Sequence, residues 1–149
     1  HLVFSTLHTN DAVSSITRLI DMGLAPYLVA SSLNGVVAQR LLRRLCPHCK
    51  EKRELEHRDL NYLENPDFKE AYYAVGCEKC NNSGYSGRLA IQEIFEIDGQ
   101  VKEMISENRS KEKIAEYAKN NGMVTLKEDG IEKIREGETD ISELRRIIY

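Results

Sequence analysis

The chain of 149 residues contains no tryptophan, and phenylalanine and tyrosine together leave only 7% aromatic residues. So few aromatic faces weigh against a module that stacks unpaired bases. Charge of one sign is also missing. Twenty-one Lys and Arg face 24 Asp and Glu, a formal net charge of -3. A broad nucleic-acid surface, which needs a basic face, is therefore disfavoured. No apolar run reaches membrane-spanning length, and no signal-peptide pattern is present. There is no internal repeat and no low-complexity stretch. The chain has no GxxxxGK[ST] loop, so these residues lack the phosphate cradle and lysine of a P-loop.

Cysteine is scarce but organised. All four cysteines fall in two CxxC pairs, Cys46-Pro47-His48-Cys49 and Cys77-Glu78-Lys79-Cys80. Two such pairs can place four thiolates at the corners of a tetrahedron, the arrangement a structural Zn²⁺ takes. The run Asn81-Asn82-Ser83-Gly84-Tyr85-Ser86-Gly87 after the second pair suits a zinc knuckle. Four sulfurs leave no open coordination position, so the metal is structural rather than catalytic and His48 is not needed as a ligand. A redox reading competes, because Cys-Pro-His-Cys is also a disulfide-oxidase tetrapeptide whose first cysteine is activated at a helix start. Neither pair is followed by His, which excludes c-type haem attachment. Reduced metal-binding cysteines predict a cytoplasmic compartment. Arg40, Arg43, Arg44, Lys50, Lys52 and Arg53 form a local basic patch, read as a solvated rim around an anionic tetrathiolate site.

Along the chain, Leu2-Val3-Phe4-Ser5-Thr6-Leu7 reads as a buried parallel strand, which needs neighbours on both sides. That predicts the C-terminal part of a longer protein. Thr9-Asn10-Asp11 supply N-cap chemistry for a helix over 12–22, and Pro26 opens a second over 27–33. Residues 35–45 fit neither the helical nor the strand period cleanly and are assigned as a strand. Residues 50–58 are expected to be helical or loose, with a short helix within 59–68. Residues 71–75 lead into the second Cys pair. Residues 88–97 alternate (Leu89, Ile91, Glu93, Phe95, Ile97) and read as a strand returning to the sheet. Beyond Asp98 only helical patterns remain: 100–107, 111–120 capped by Ser110, a capping box at Thr125 opening a helix to Arg135, and a last helix from Asp140 to Tyr149. Ile114, Tyr117, Ala118, Leu126, Ile131, Ile134, Leu144 and Ile147 are expected to form one small core.

Ser5-Thr6-Leu7-His8-Thr9-Asn10 ends a strand just before a capped helix, the place where α/β folds meet phosphates. Taken alone, His8 reads as a strand-terminal histidine in a satisfied hydrogen bond. Taken with its surroundings it points further. His1 to Ala12 resembles the His box of the secretion-type traffic ATPases, which drive type II secretion and type IV pilus assembly. Ala38-Gln39-Arg40-Leu41 is similar to the segment that follows that box. Cys46-Pro-x-Cys49 and Cys77-x-x-Cys80-Asn-x-x-Gly84-Tyr85-x-Gly87-Arg88 resemble the tetracysteine zinc module of the assembly branch. The likeness covers essentially the whole chain.

The resemblance implies an α/β fold: the C-terminal part of a RecA-like P-loop ATPase sheet with an inserted four-cysteine zinc module and a C-terminal helical subdomain. The expected division is 1–45 core, 46–87 zinc module, 88–97 returning core strand and 98–149 helical subdomain. It implies a homo-hexameric motor, peripheral at the cytoplasmic face of the inner membrane. Its partners would be an inner-membrane platform protein and other components of the secretion or pilus machinery, and not nucleic acid. ATP and Mg²⁺ would bind the full-length protein, with His8 facing the γ-phosphate and Arg40 at the nucleotide side or the subunit interface. Cys46, Cys49, Cys77 and Cys80 would hold Zn²⁺. The carboxylates that handle metal and water in that family lie upstream of His8, so this stretch alone is expected to be inactive and monomeric or weakly associating. The alternative is a zinc-ribbon interaction or nucleic-acid module without an ATPase role. The CxxCxxxGxxG run also resembles the zinc segment of J-domain chaperones, where four repeats are expected and one occurs.

Overall fold

Residues 1–9 carry no regular secondary structure in the computed structural model, which describes residues 1–64 and 66–148. The strand expected at 2–7 is therefore not formed: Leu2, Val3 and Phe4 are 72%, 78% and 90% exposed. A parallel core strand takes its ladder from neighbours, and among the described residues no strand pairs with this segment. The elements in chain order are α1 (Ala12–Asp21), α2 (Pro26–Ser32), β1 (Gly35–Leu45), β2 (Glu51–Glu54), α3 (His57–Tyr62), β3 (Glu70–Tyr73), β4 (Tyr85–Glu96), α4 (Gly99–Ser106), α5 (Lys111–Asn120), α6 (Leu126–Arg135) and α7 (Ile141–Ile147). Tyr149, the expected end of the last helix, lies outside the described residues, as does Asn65 within the expected 59–68 helix.

The elements group into two compact units, His1–Gln39 with Gln92–Thr125, and Arg40–Ile91 with the segment from Leu126 onward. In the first unit, Asp11 caps α1 by accepting the Ser14 backbone N–H at 2.7 Å. Pro26 opens α2 at its first turn, where a missing N–H costs nothing. Asp98 caps α4 through the Val101 N–H at 2.8 Å. Ser110 holds the N-cap position of α5, but its hydroxyl makes no cap bond. Val13, Ile16, Val29, Phe95, Val101, Ile105 and Ile114 are buried in this unit. Each such side chain contributes roughly 1.5–3 kcal/mol.

β1 pairs with β4, the strand that the alternation at 88–97 predicts. Ile91, Glu93 and Phe95 point inward from β4 at strict period two. β1 buries Ala38, Leu42 and Leu45, spaced four and three apart, and leaves Val37 and Leu41 exposed. That mixed spacing is why its pattern fits neither period.

In the second unit β2 pairs antiparallel with β3, Glu51 opposite Tyr73 and Glu54 opposite Glu70. Residues 51–54 are thus a strand, where helix or loose chain was expected. All four are exposed, so the ladder and not burial makes them a strand. Leu42, Ile91, Ile134, Ile141 and Leu144 fill this core. The helices after Asp98 do not share one core: Ile114 and Ala118 are buried in the first unit, Leu126, Ile134 and Leu144 in the second.

Candidate functional site

The two Cys pairs are local chelating turns brought together by backbone. In the first, the Cys46 carbonyl accepts the N–H of Cys49 at 3.4 Å and of Lys50 at 3.1 Å. In the second, a single 3-10 turn spans Glu78–Cys80, and the Cys77 carbonyl accepts the N–H groups of Cys80 and Asn82 at 3.1 and 2.8 Å. Asn81 and Asn82 take left-handed backbone angles, φ 51° and 58°. Asparagine tolerates that region better than most residues. Gly84 follows at φ +78°, and a Cβ there would lie 2.7 Å from the Ala74 Cβ. Its carbonyl accepts the Cys46 N–H at 2.9 Å, which ties the first turn to the second.

The four sulfurs all lie within 4.8 Å of one another. Cys46 to Cys77 is 4.0 Å, Cys49 to Cys80 is 3.9 Å and Cys77 to Cys80 is 3.8 Å. A tetrahedron with metal–sulfur bonds of about 2.3 Å has edges of about 3.8 Å. The set is compatible with one tetrahedral cation such as Zn²⁺. Three backbone N–H groups aim at sulfur: Gly76 at Cys49, and Cys77 and Gly84 at Cys80, each at 3.3 Å. Burial works against a Cys80 thiolate, yet the Cys77 and Gly84 amides bring its thiol down to about 6. Burial and the neighbouring sulfurs push the Cys49 thiol up to about 12. Four thiolates this close repel one another unless a cation lies between them. His48 is exposed and outside this sulfur set.

The cations of the basic patch are solvated and also ion-paired. Arg43 reaches Glu143 (2.7 Å), Arg44 reaches Glu138 (2.5 Å), Lys52 reaches Glu70 (2.7 Å) and Arg53 reaches Glu51 (2.8 Å). Lys50 donates to the Gly137 carbonyl at 2.7 Å and lies over the Tyr72 ring. Arg43, Arg44, Lys50, Lys52 and Arg53 are thus ion-pair and carbonyl partners within the second unit, and Arg40 is half-buried on β1.

His8 is exposed and lines an open hollow of about 480 Å³ in the first unit, with Thr9, Asn10, Ser14, Arg18 and Lys111. The helix behind it starts firmly. Burial opposes an Asp11 carboxylate, but Lys111 at 2.8 Å and Ser14 hold its carboxyl below the usual range. The Thr9 and Ser15 hydroxyls are 2.9 Å apart. His8 belongs to the first unit, and Arg40 and the four cysteines to the second.

Residues 1–146 match the family model described as "Type II/IV secretion system protein". The chain belongs to that family. It is 44% identical over 147 residues to the type II secretion system protein HxcR of Pseudomonas aeruginosa, covering 99% of this chain and 28% of that protein. It is 42% identical over 154 residues to the type IV pilus assembly ATPase TfpB of Acinetobacter baylyi, covering 99% and 26%. It is also 42% identical over 149 residues to the type II secretion system ATPase E of Vibrio cholerae, covering 99% and 29%. The chain therefore spans somewhat more than a quarter of the length of these relatives.

In this member of the type II/IV secretion system family, two arrangements escape a reading by motif. Glu93, 4% exposed on β4, accepts the buried Ala12 N–H at 2.8 Å. Its signal was a carboxylate on the apolar face of an alternating strand. In the second unit, Asp140 accepts from the Glu143 N–H, the Tyr85 hydroxyl and the Ala74 N–H. No helix among the described residues is long and apolar enough to cross a membrane.

Proposed function

We propose that this chain is the C-terminal part of an ATP-hydrolysing motor that powers type II secretion or type IV pilus assembly. The observation that carries the reading is the family match over residues 1–146, with relatives named as ATPases at about 42% identity. Residues 1–45 with 88–97 are then the C-terminal portion of a RecA-like core, and 46–87 the zinc module. Cys46, Cys49, Cys77 and Cys80 hold structural Zn²⁺. The sulfur spacing and the amides aimed at Cys49 and Cys80 support this. His8 faces the γ-phosphate of ATP, whose Mg²⁺ and P-loop contacts come from residues outside this chain. Arg40 serves the nucleotide side or a subunit interface. The motor works as a homo-hexamer at the cytoplasmic face of the inner membrane, bound to a platform protein of the machinery. The chain by itself, without a P-loop, does not turn over ATP.

The test is steady-state ATP turnover by a polypeptide of the full length of the relatives, with and without His8→Ala. A sharp fall in kcat on His8→Ala supports the reading. No turnover in an assembled, zinc-loaded ring rejects it, and turnover by residues 1–149 alone rejects the claim of inactivity.

A further inference from the structure

Two tethers hold the start of α1 at Asp11 and Ala12, three and four residues beyond His8, and neither follows from the chain's own capping sequence. From β4, Glu93 Oε1 accepts the Ala12 N–H at 2.8 Å. From α5, Lys111 Nζ donates to Asp11 Oδ2 at 2.8 Å while Asp11 caps the helix through Ser14. Glu93 lies 81 residues from Ala12 in sequence, and Lys111 lies 100 from Asp11. Both pairs lie within the first unit.

The Glu93 side chain stands between Ile91 and Phe95 on the inward face of β4, a row that an aliphatic residue would continue. A carboxylate in such a row is costly unless its charge is used. Here it meets the positive end of α1 at the Ala12 N–H, while the Asp11 side chain takes the Ser14 N–H. Lys111 meanwhile lines the same hollow as His8, Thr9 and Asn10. The start of α1, which follows His8 in the chain, is thus fastened on one side to β4 and on the other to α5.

We propose that Glu93 and Lys111 are positioning residues for His8: together they fix the first turn of α1 and so the aim of the His8–Asn10 turn at the phosphate. The proposal rests on the reading of His8 given above. A helix start held by two remote tethers gives the residues just before it a fixed base through a cycle of nucleotide binding and release. Small errors of placement at a reacting centre are expensive in rate.

The experiment is ATP turnover by the full-length motor carrying Glu93→Gln or Lys111→Gln, each alone and combined with His8→Ala. ADP affinity and melting temperature are measured on every variant. Lys111 is partly exposed, so its variant folds even where the buried change at 93 does not. The expected result is a fall in kcat of about tenfold for each single variant, with ADP affinity unchanged. Neither change lowers kcat further in the His8→Ala background, because a positioning group has nothing left to position. Equal losses in both backgrounds overturn the proposal and leave only a structural role, and so does an unchanged kcat in both single variants. If His8→Ala itself leaves kcat unchanged, the His8 reading fails and this proposal falls with it, an outcome distinct from the other two.

Discussion

The Glu143 carboxylate, with no exposed surface, is gripped by Arg43 at three points: its backbone N–H at 2.9 Å, its Nε at 2.9 Å and a terminal guanidinium nitrogen at 2.7 Å. Arg146 adds two more contacts, at 3.0 and 2.6 Å. The Arg43 guanidinium lies 3.9 Å over the Tyr85 ring. This joins β1, β4 and α7 within the second unit.

Burial opposes a Glu143 carboxylate, but the two arginines bring its carboxyl down from 4.5 to about 2. The folded state therefore binds this proton less readily than the unfolded chain. Its contribution to stability is complete above about pH 4.5 and is lost as the pH falls through about 2. We expect denaturant unfolding to show stability dropping across that window, and Glu143→Gln to remove this part of the drop while costing about 2 kcal/mol at pH 7. An identical pH profile for Glu143→Gln would contradict the assignment.

Asp140 begins α7, a helix of seven residues, and its carboxylate is 2% exposed. It accepts from the Glu143 N–H at 2.9 Å, the Tyr85 hydroxyl at 2.8 Å and the Ala74 N–H at 3.3 Å. So short a helix has little stability of its own. Asp140→Ala should cost roughly 2–3 kcal/mol, since it removes a cap and leaves a part-buried hydroxyl and an amide without this acceptor. Tyr85→Phe should cost about 1 kcal/mol. Amide exchange in residues 141–147 is the readout, and unchanged protection in Asp140→Ala would refute the point.

What was legible in the chain was local. Each CxxC pair is a turn written in four residues, so the grouping of the four cysteines could be read without the fold. β4 announced itself through strict alternation, and α1, α4 and α7 through Asp11, Asp98 and Asp140 at their starts. What stayed hidden depends on partners far along the chain. Glu93 was visible within the inward row, but the N–H it serves belongs to a helix 81 residues earlier. The reading of Asp140 as a helix start found the cap, but nothing local showed that the Glu143 carboxylate three residues on turns to Arg43. β2 has no apolar alternation to read, and only the ladder with β3 makes it a strand. The helices after Asp98 were legible one by one, but no periodicity tells which core each joins.

Gly84 and Gly87 share φ +78°, yet only Gly84 has atoms where a Cβ would go: Ala74 Cβ at 2.7 Å and the Val75 nitrogen at 3.2 Å. Gly87→Ala should therefore cost only the left-handed backbone term, about 1–2 kcal/mol. Gly84→Ala should cost clearly more and also disturb the metal turn, because the Gly84 N–H points at the Cys80 sulfur and its carbonyl at the Cys46 N–H. Thermal unfolding and zinc content of the two variants test this. Equal Tm losses with full zinc in both would show that the close approach to Ala74 does not matter.

Removing one thiolate should reach further than the loop between the Cys pairs. The Leu45 N–H donates to the Glu138 carbonyl at 2.8 Å, and Lys50 donates to the Gly137 carbonyl at 2.7 Å. These contacts fasten the segment between α6 and α7 to the first Cys pair and its flanks. In small modules metal binding is folding energy. Cys77→Ser, or a chelator strong enough to strip the ion, should therefore loosen residues 45–88 together with α6 and α7. Helices α4 and α5, which belong to the other compact unit, should keep their protection. Hydrogen exchange on zinc-loaded and chelated protein separates the outcomes. Loss confined to 45–88 would mean that α6 and α7 stand without the metal, and loss everywhere that the two units unfold as one.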